Sequence, residues 1–188
     1  LQSNSDPYFH VKSFDEIVAF TTTGGGNSCA AETSTGNAAP TVNAGESITI
    51  PKSTPLYITG PAPHPNDDPM TYCWEQFNLG TQSPPNTDNG TRPIFRSFNP
   101  VTSGVRTFPK VSDLLNNTTT IGESLPTTTR TMTFRLTARD NKPGGGGVNY
   151  ASTTVAVSNT SGPFVVTAPN TAVTWNGGSS QTVTWNVA

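Results

Sequence analysis

The chain carries little charge, and this composition argues against two classes of binding partner. Of its 188 residues, 12% are Asp, Glu, Lys or Arg, and the formal net charge is −2. Only 10 residues are Lys or Arg. Proteins that bind nucleic acid or an anionic membrane surface need concentrated positive charge. We therefore expect neither nucleic acid nor a membrane surface as a partner.

Long apolar runs and cysteines are also scarce. No stretch approaches the roughly 20 apolar residues of a membrane-spanning helix, and no signal-peptide pattern is present, so we expect no membrane span. The two cysteines, Cys29 and Cys73, allow one disulfide bond but define no disulfide framework. The sequence leaves a Cys29–Cys73 bond and two unpaired thiols open as alternatives.

Turn-forming and β-forming residues are abundant instead, with 17 Gly and 17 Pro beside many Thr, Ser and Asn. Apolar and polar residues alternate most clearly over 130–140, as in a half-buried antiparallel strand. Together these features predict a mainly β fold, an immunoglobulin-like antiparallel sandwich. Further strands are expected at 46–50, 56–60, 70–78, 94–98, 105–108 and 148–158, and a short helical turn at 111–115.

We divide the chain into four parts. Residues 1–30 form a short helical tail, 31–45 a linker of small polar residues, 46–160 the sandwich, and 161–188 the start of a further β-module. The last part repeats the tetrapeptide Val-Thr-Trp-Asn at 173 and 183. Two strands alone are marginal, so this part is expected to need neighbours.

A single helix is predicted in the tail, over 13–20. Ser13 and Glu16 have the spacing of a capping box, and Phe14, Ile17 and Val18 form one apolar stripe. So short a helix is unstable alone. Its partner lies either upstream in a longer polypeptide or on the sandwich itself. The second alternative predicts sandwich contacts for Phe14, Ile17 and Phe20.

Several segments together carry a resemblance to a known family. Residues 2–10 (QSNSDPYFH), 13–17 (SFDEI) and 24–29 (GGGNSC) resemble the end of the catalytic domain in secreted bacterial reprolysin-like zinc metalloproteases, which are metzincins. The stretches 44–51, 70–76, 134–147 and 162–187 resemble the modules downstream of that domain. The resemblance implies a PKD-like or immunoglobulin-like sandwich and a partner for Cys29 in the upstream protease domain.

The catalytic motif of that family is absent from this chain. Metzincins hold zinc with H-E-x-x-H-x-x-G-x-x-H, whose Glu is the general base, whereas the only histidines here are His10 and His64. The resemblance thus implies no catalytic residue in this chain, with zinc expected in the parent protein. It implies an accessory module that acts as spacer, stabiliser or substrate-docking domain.

Two acidic loops suggest a calcium site at one end of the sandwich. Asp67 and Asp68 lie in the loop 65–69, whereas Asp140 and Asn141 open the glycine-rich loop 140–147. Calcium prefers six to eight oxygen ligands, and these loops emerge at the same end of an immunoglobulin-type sandwich. The alternative is that these side chains form turns by bonding to their own backbone.

The three tryptophans separate two functional hypotheses. Alternation along 70–78 places Trp74 in the core, whereas Trp175 and Trp185 lie in the incomplete β-module. The first hypothesis is the accessory module of a secreted protease, acting on protein substrates. The second is an extracellular or cell-surface module for adhesion or carbohydrate binding. An adhesin should expose aromatic side chains on an intact sandwich, whereas a spacer should bury Trp74 and lack a preformed pocket.

Overall fold

The computed structural model describes residues 5–29, 31–60, 68–82 and 84–187. Within these ranges the protein is mainly β, which confirms the predicted fold class at that level. In chain order the elements are α1 (Val11–Thr22), β1 (Ile48–Pro51), β2 (Leu56–Thr59), β3 (Thr71–Gln76), β4 (Val105–Phe108), α2 (Val111–Asn116), β5 (Arg130–Arg139), β6 (Val148–Ser158), β7 (Val165–Ala168) and β8 (Thr184–Asn186).

Six of the strands form two sheets that share one core. The larger sheet has the order β1-β6-β5-β3, in which β1 runs parallel to β6 and the other pairs are antiparallel. The smaller sheet pairs β2 with β4. Apolar residues from both sheets form one buried cluster, so the two sheets pack face to face.

Strand β5 supplies the centre of the core. Its side chains Met132, Phe134 and Leu136 are fully buried, as the alternation predicted. Phe108 from β4 meets Phe134 with ring centroids 4.7 Å apart, and Phe95 meets Phe108 at 5.0 Å. Tilted and edge-on ring pairs of this kind add to the stability that burial gives.

Trp74 occupies the core as predicted, at a point where two backbones approach closely. Its indole N–H donates a 3.0 Å hydrogen bond to the carbonyl oxygen of Gly104, and the N–H of Gly60 donates to the same oxygen at 3.1 Å. A Cβ at Gly60 would lie 2.6 Å from the carbonyl oxygen of Asn43. Glycine is therefore required at position 60 for the chain to pass above Trp74.

The prediction of a strand at 94–98 is wrong. Phe95 forms only an isolated bridge with Glu123. The Gln76 side chain at the end of β3 accepts hydrogen bonds from the backbone N–H groups of Ile94 (2.8 Å) and Phe95 (3.1 Å). A side-chain amide thus replaces the ladder that a strand would need.

The tail helix begins earlier than predicted. Its N-cap is His10 and α1 starts at Val11, with no side-chain hydrogen bond at the cap. The predicted capping box of Ser13 and Glu16 is therefore wrong, because both residues lie inside the helix. The helical turn predicted at 111–115 is confirmed as α2.

The end of the described chain contains only the hairpin of β7 and β8. Residues 173–176 form no strand, although they repeat the sequence of 183–186. This segment lacks a core of its own, because all of its large apolar side chains are exposed: Phe164, Val165, Val166, Val173, Trp175, Val183, Trp185 and Val187.

Candidate functional site

The N-terminal arm, defined here as residues 5–10 and α1, lies across the outer face of the larger sheet. The Tyr8 hydroxyl donates a 2.7 Å hydrogen bond to Ser97 Oγ. The backbone N–H of Val11 donates to Glu75 Oε1 at 3.4 Å. The arm therefore has a partner surface within this chain, and β3 and the segment that follows it form one part of that surface.

Arg135 on β5 is the main contact between α1 and the sheet. Its guanidinium lies 4.0 Å from the ring centres of both Phe77 and Tyr150. Its Nη1 donates to Asp15 Oδ1 at 2.7 Å. Phe14 meets Tyr150 edge-on at 6.0 Å. Arginine is suited to this position because its planar cation stacks on rings and pairs with carboxylates at once.

A cavity of about 730 Å³ lies between the arm and the end of the sandwich. This volume is within the usual range for ligand pockets. We call it the arm groove. Its principal side chains are Phe9, Phe14, Ile17, Val18 and Val148, which are apolar, and Thr71, Arg139 and Asn141, which are polar.

The polar groups of the arm groove are held by the protein itself. Arg139 Nη2 donates to the carbonyl oxygen of Phe9 at 3.3 Å, whereas its Nη1 is buried without a hydrogen-bond partner. Asn141 Nδ2 donates to Thr71 Oγ1 at 3.0 Å. The groove is thus mainly apolar, with the cationic Arg139 and the anionic Asp6 in its wall.

Three titratable side chains lie where the arm meets β3: Tyr8 on the arm, and Cys73 and Glu75 on the strand. Burial raises the pKa of the Tyr8 phenol to about 12 and that of the Cys73 thiol to about 12. It also raises the pKa of the Glu75 carboxyl, although the N–H of Val11 opposes this effect. Glu75 is 4% exposed, and its Oε2 has no hydrogen-bond partner.

This arrangement suits binding better than nucleophilic catalysis. The reactive form of cysteine is the thiolate, and the raised pKa keeps Cys73 protonated at neutral pH. Its Sγ donates to the carbonyl oxygen of Phe98 at 3.3 Å. The apolar wall formed by Ile17 and Val18 has no role in proton transfer but can hold an apolar side chain.

Of the residues predicted to bind calcium, Asp140 is the most deeply buried, at 1% exposure. Its carboxylate accepts hydrogen bonds from the N–H of Gly147 at 2.8 Å and of Lys142 at 3.1 Å. It also accepts from Asn37 Nδ2 at 2.6 Å. Asp140 therefore organises its own loop, as the turn-forming alternative expects.

The other predicted ligands face separate partners. Asn141 bonds to Thr71, and Asp68 Oδ2 lies 3.6 Å from Lys142 Nζ. Asp67 lies outside the described residues. In the described part of the chain, no three His, Cys, Asp or Glu side chains form a metal-binding group. The calcium site stays a prediction.

The two cysteines do not meet in the structure. Cys29 is exposed, Cys73 is buried, and both are free thiols, so the alternative of a Cys29–Cys73 bond is wrong. The pairing of Cys29 with an upstream cysteine stays a prediction. His10 Nε2 lies 3.3 Å from Asp6 Oδ2 on the arm, and His64 falls in the undescribed segment 61–67.

Sequence reasoning missed the side chains that attach the arm. The alternation over 130–140 places Arg135 and Arg139 on the exposed face of a half-buried strand. The available signal is the presence of two arginines in the most regular strand pattern of the chain, since buried charged residues require partners. In the structure Arg135 lies opposite Glu75 on β3. The identity of those partners, Asp15 and the carbonyl of Phe9, follows only from the docked arm.

Comparisons with known proteins yield no relative. No family model, no curated protein and no solved structure matches this chain. Among the helices within the described ranges, none has the length and apolar character to cross a membrane.

Proposed function

We propose that this chain is a non-catalytic substrate-docking module of a secreted bacterial zinc metalloprotease, and that the arm groove holds an apolar side chain of an extended protein substrate. The observation that carries the docking role is the preformed groove of about 730 Å³ between the arm and the sandwich. A simple spacer needs no such groove. The buried Trp74 fits either a spacer or a docking module.

The assignment to a protease rests on the resemblance to secreted metzincins and their downstream modules. The segments that carry it are 2–10, 13–17, 24–29, 44–51, 70–76, 134–147 and 162–187. It gives the sandwich a PKD-like or immunoglobulin-like identity and places zinc in the parent protein. The upstream protease domain of the same polypeptide is the expected neighbour. Exposed apolar side chains on the arm, with Phe9 at 63% and Phe20 at 60%, are available to pack on it.

The binding role is tested with a dye-labelled unfolded protein, such as reduced and alkylated casein, by fluorescence anisotropy. Val18 lines the groove, so Val18→Asp should weaken binding at least tenfold, which corresponds to about 1.4 kcal/mol. Leu115→Asp is the matched control, because Leu115 is exposed on α2 and lies outside the groove. Equal binding by both variants would contradict the docking role.

Adhesion or carbohydrate binding is the second candidate. Trp175 and Trp185 are exposed at the end of the chain, and Phe164 lies 6.3 Å from Trp185 between ring centres. Exposed aromatic rings can stack on sugars. A glycan array that gives a signal sensitive to Trp185→Ala, together with no binding of unfolded casein, would favour this function over substrate docking.

A further inference from the structure

The Lys142 amine, the Asn37 side-chain amide and the buried Asp140 carboxylate lie side by side where the linker passes the glycine-rich loop. Lys142 Nζ lies 3.5 Å from Asn37 Oδ1. On the other side of the amide, Asn37 Nδ2 donates to Asp140 Oδ2 at 2.6 Å and to the carbonyl oxygen of Gly145 at 3.1 Å. Two acceptors thus fix the amide nitrogen, and the amide oxygen faces the lysine.

Close packing holds these groups together. Asp140 is 1% exposed, and its Oδ1 and Oδ2 accept from the N–H of Gly147 at 2.8 and 2.9 Å. A Cβ on Gly147 would lie 2.8 Å from Asp140 Oδ2 and 3.0 Å from the Cα of Ala39. Position 147 therefore needs glycine, because any side chain would separate the linker from the Asp140 carboxylate.

We propose that Lys142 and Asn37 join through an intramolecular isopeptide bond, with Asp140 as the catalytic proton carrier. The lone pair of the neutral Lys142 amine attacks Asn37 Cγ and forms the new C–N bond. The Asp140 carboxylate takes one proton from the attacking nitrogen and gives it to Nδ2. The bond between Cγ and Nδ2 breaks, and ammonia leaves. The carboxylate is regenerated, and no oxidant or second reactant is consumed.

The observed geometry supports the protonation of the leaving group. The carboxylate oxygen is within the 2.6–3.2 Å reach expected of a group that transfers a proton to the leaving nitrogen. The reacting groups are held next to each other, so the reaction has the advantage of an intramolecular process.

The Lys142 side chain is 39% exposed, and Asp68 Oδ2 lies 3.6 Å from its Nζ. The amine must leave this carboxylate and reach Asn37 Cγ as the neutral species, so the reaction is followed at neutral and at alkaline pH.

The bond would close a covalent loop between positions 105 residues apart. Such a cross-link restricts the unfolded chain and stabilises the folded one. It would also fix the linker to the end of the sandwich beside the arm groove, because Asn141 of the same loop lines that groove.

Peptide mapping tests the proposal on the full chain after overnight incubation at neutral and alkaline pH. Trypsin releases Asn37 in the peptide 13–52 and Lys142 in the peptide 140–188, because Pro143 protects Lys142 from cleavage. We expect one branched product with the mass of both peptides less one ammonia, and fragment ions that place the junction at Lys142 and Asn37. Two separate peptides at both pH values would overturn the proposal.

Mass loss alone is insufficient, since the pairs Asn89-Gly90 and Asn176-Gly177 can lose ammonia by forming succinimides. Lys142→Arg keeps the positive charge but offers no amine that can be deprotonated, so its branched product should vanish and its melting temperature should fall. Lys110→Arg is the matched control and should keep the product. A branched product that persists in Lys142→Arg would also overturn the proposal.

Discussion

The Asp15 carboxylate on α1 accepts a 2.7 Å hydrogen bond from the Arg135 guanidinium on β5. These residues lie 120 positions apart in the chain, and their contact joins the tail helix to the sandwich. Because Arg135 is 8% exposed in its side chain and Asp15 29%, the pair is largely shielded from solvent. The sandwich therefore stabilises a helix that is too short to persist alone.

Replacing Asp15 should loosen the arm. Asp15→Ala leaves the buried Arg135 guanidinium without its carboxylate, and we expect a loss of about 1–3 kcal/mol in the free energy of unfolding. Urea denaturation measures the change. Glu16→Ala is the control, because Glu16 is a solvent-exposed neighbour on the same helix that pairs only with Lys12. An equal loss of unfolding free energy in both variants would show that the contact with Arg135 stabilises the fold no more than an exposed ion pair does.

The buried Glu75 predicts a dependence of stability on pH. Its folded-state pKa is raised, so the neutral carboxyl contributes stability that is complete below the unfolded-state pKa of roughly 4.3. That contribution is lost as the pH rises through the folded-state pKa. The wild-type protein should therefore gain stability relative to Glu75→Gln as the pH is lowered from 7.

Urea denaturation of both proteins at pH 7 and near pH 4 gives the comparison. Glu46→Gln serves as the matched control, because Glu46 is exposed. The opposite trend, in which the wild type gains relative stability as the pH rises, would mean that the folded protein favours ionised Glu75.

The close approach above Trp74 predicts that position 60 tolerates only glycine. Gly60→Ala would force its methyl group against the carbonyl of Asn43 and the Leu136 side chain, at a cost of about 1–3 kcal/mol. Thermal unfolding measures the loss. Gly177→Ala faces open space and should melt like the wild type. An unchanged melting temperature in Gly60→Ala would contradict the packing described here.

The two thiols should react at very different rates. Cys29 is exposed and free, whereas Cys73 is buried and its pKa is raised to about 12. A chromogenic disulfide reagent should modify one thiol per native chain, and mass spectrometry should place the label on Cys29. Cys73 should react only after unfolding. Rapid labelling of Cys73 in the native protein would mean that the segment around Phe98 opens.

Strand positions and the core could be predicted where one side-chain alternation dominates. Strand β6 has the predicted bounds of 148–158 and β4 those of 105–108, since their patterns reflect local burial. The strand predicted at 94–98 is wrong because the backbone N–H groups of Ile94 and Phe95 donate to the Gln76 side chain and not to a neighbouring strand. A sequence pattern carries no record of such a distant side-chain acceptor.

The site was less predictable than the fold. The sequence predicts the apolar stripe of Phe14, Ile17 and Val18. The position of that stripe against the sheet depends on two residues outside the helix, Tyr8 before it and Arg135 on β5. The calcium site suggested by the two acidic loops stays a prediction. In the structure the Asp140 carboxylate accepts hydrogen bonds from its own loop, as the turn-forming alternative expects.

The most direct test of the central claim is to sequence the parent gene upstream of the codon for Leu1. Our account predicts an in-frame segment that encodes H-E-x-x-H-x-x-G-x-x-H, the zinc-binding pattern of metzincins. Such a segment would place the sandwich and its arm groove beside a protease domain. A signal peptide or unrelated β-modules in that position would contradict the account and leave adhesion or glycan binding as the function to pursue.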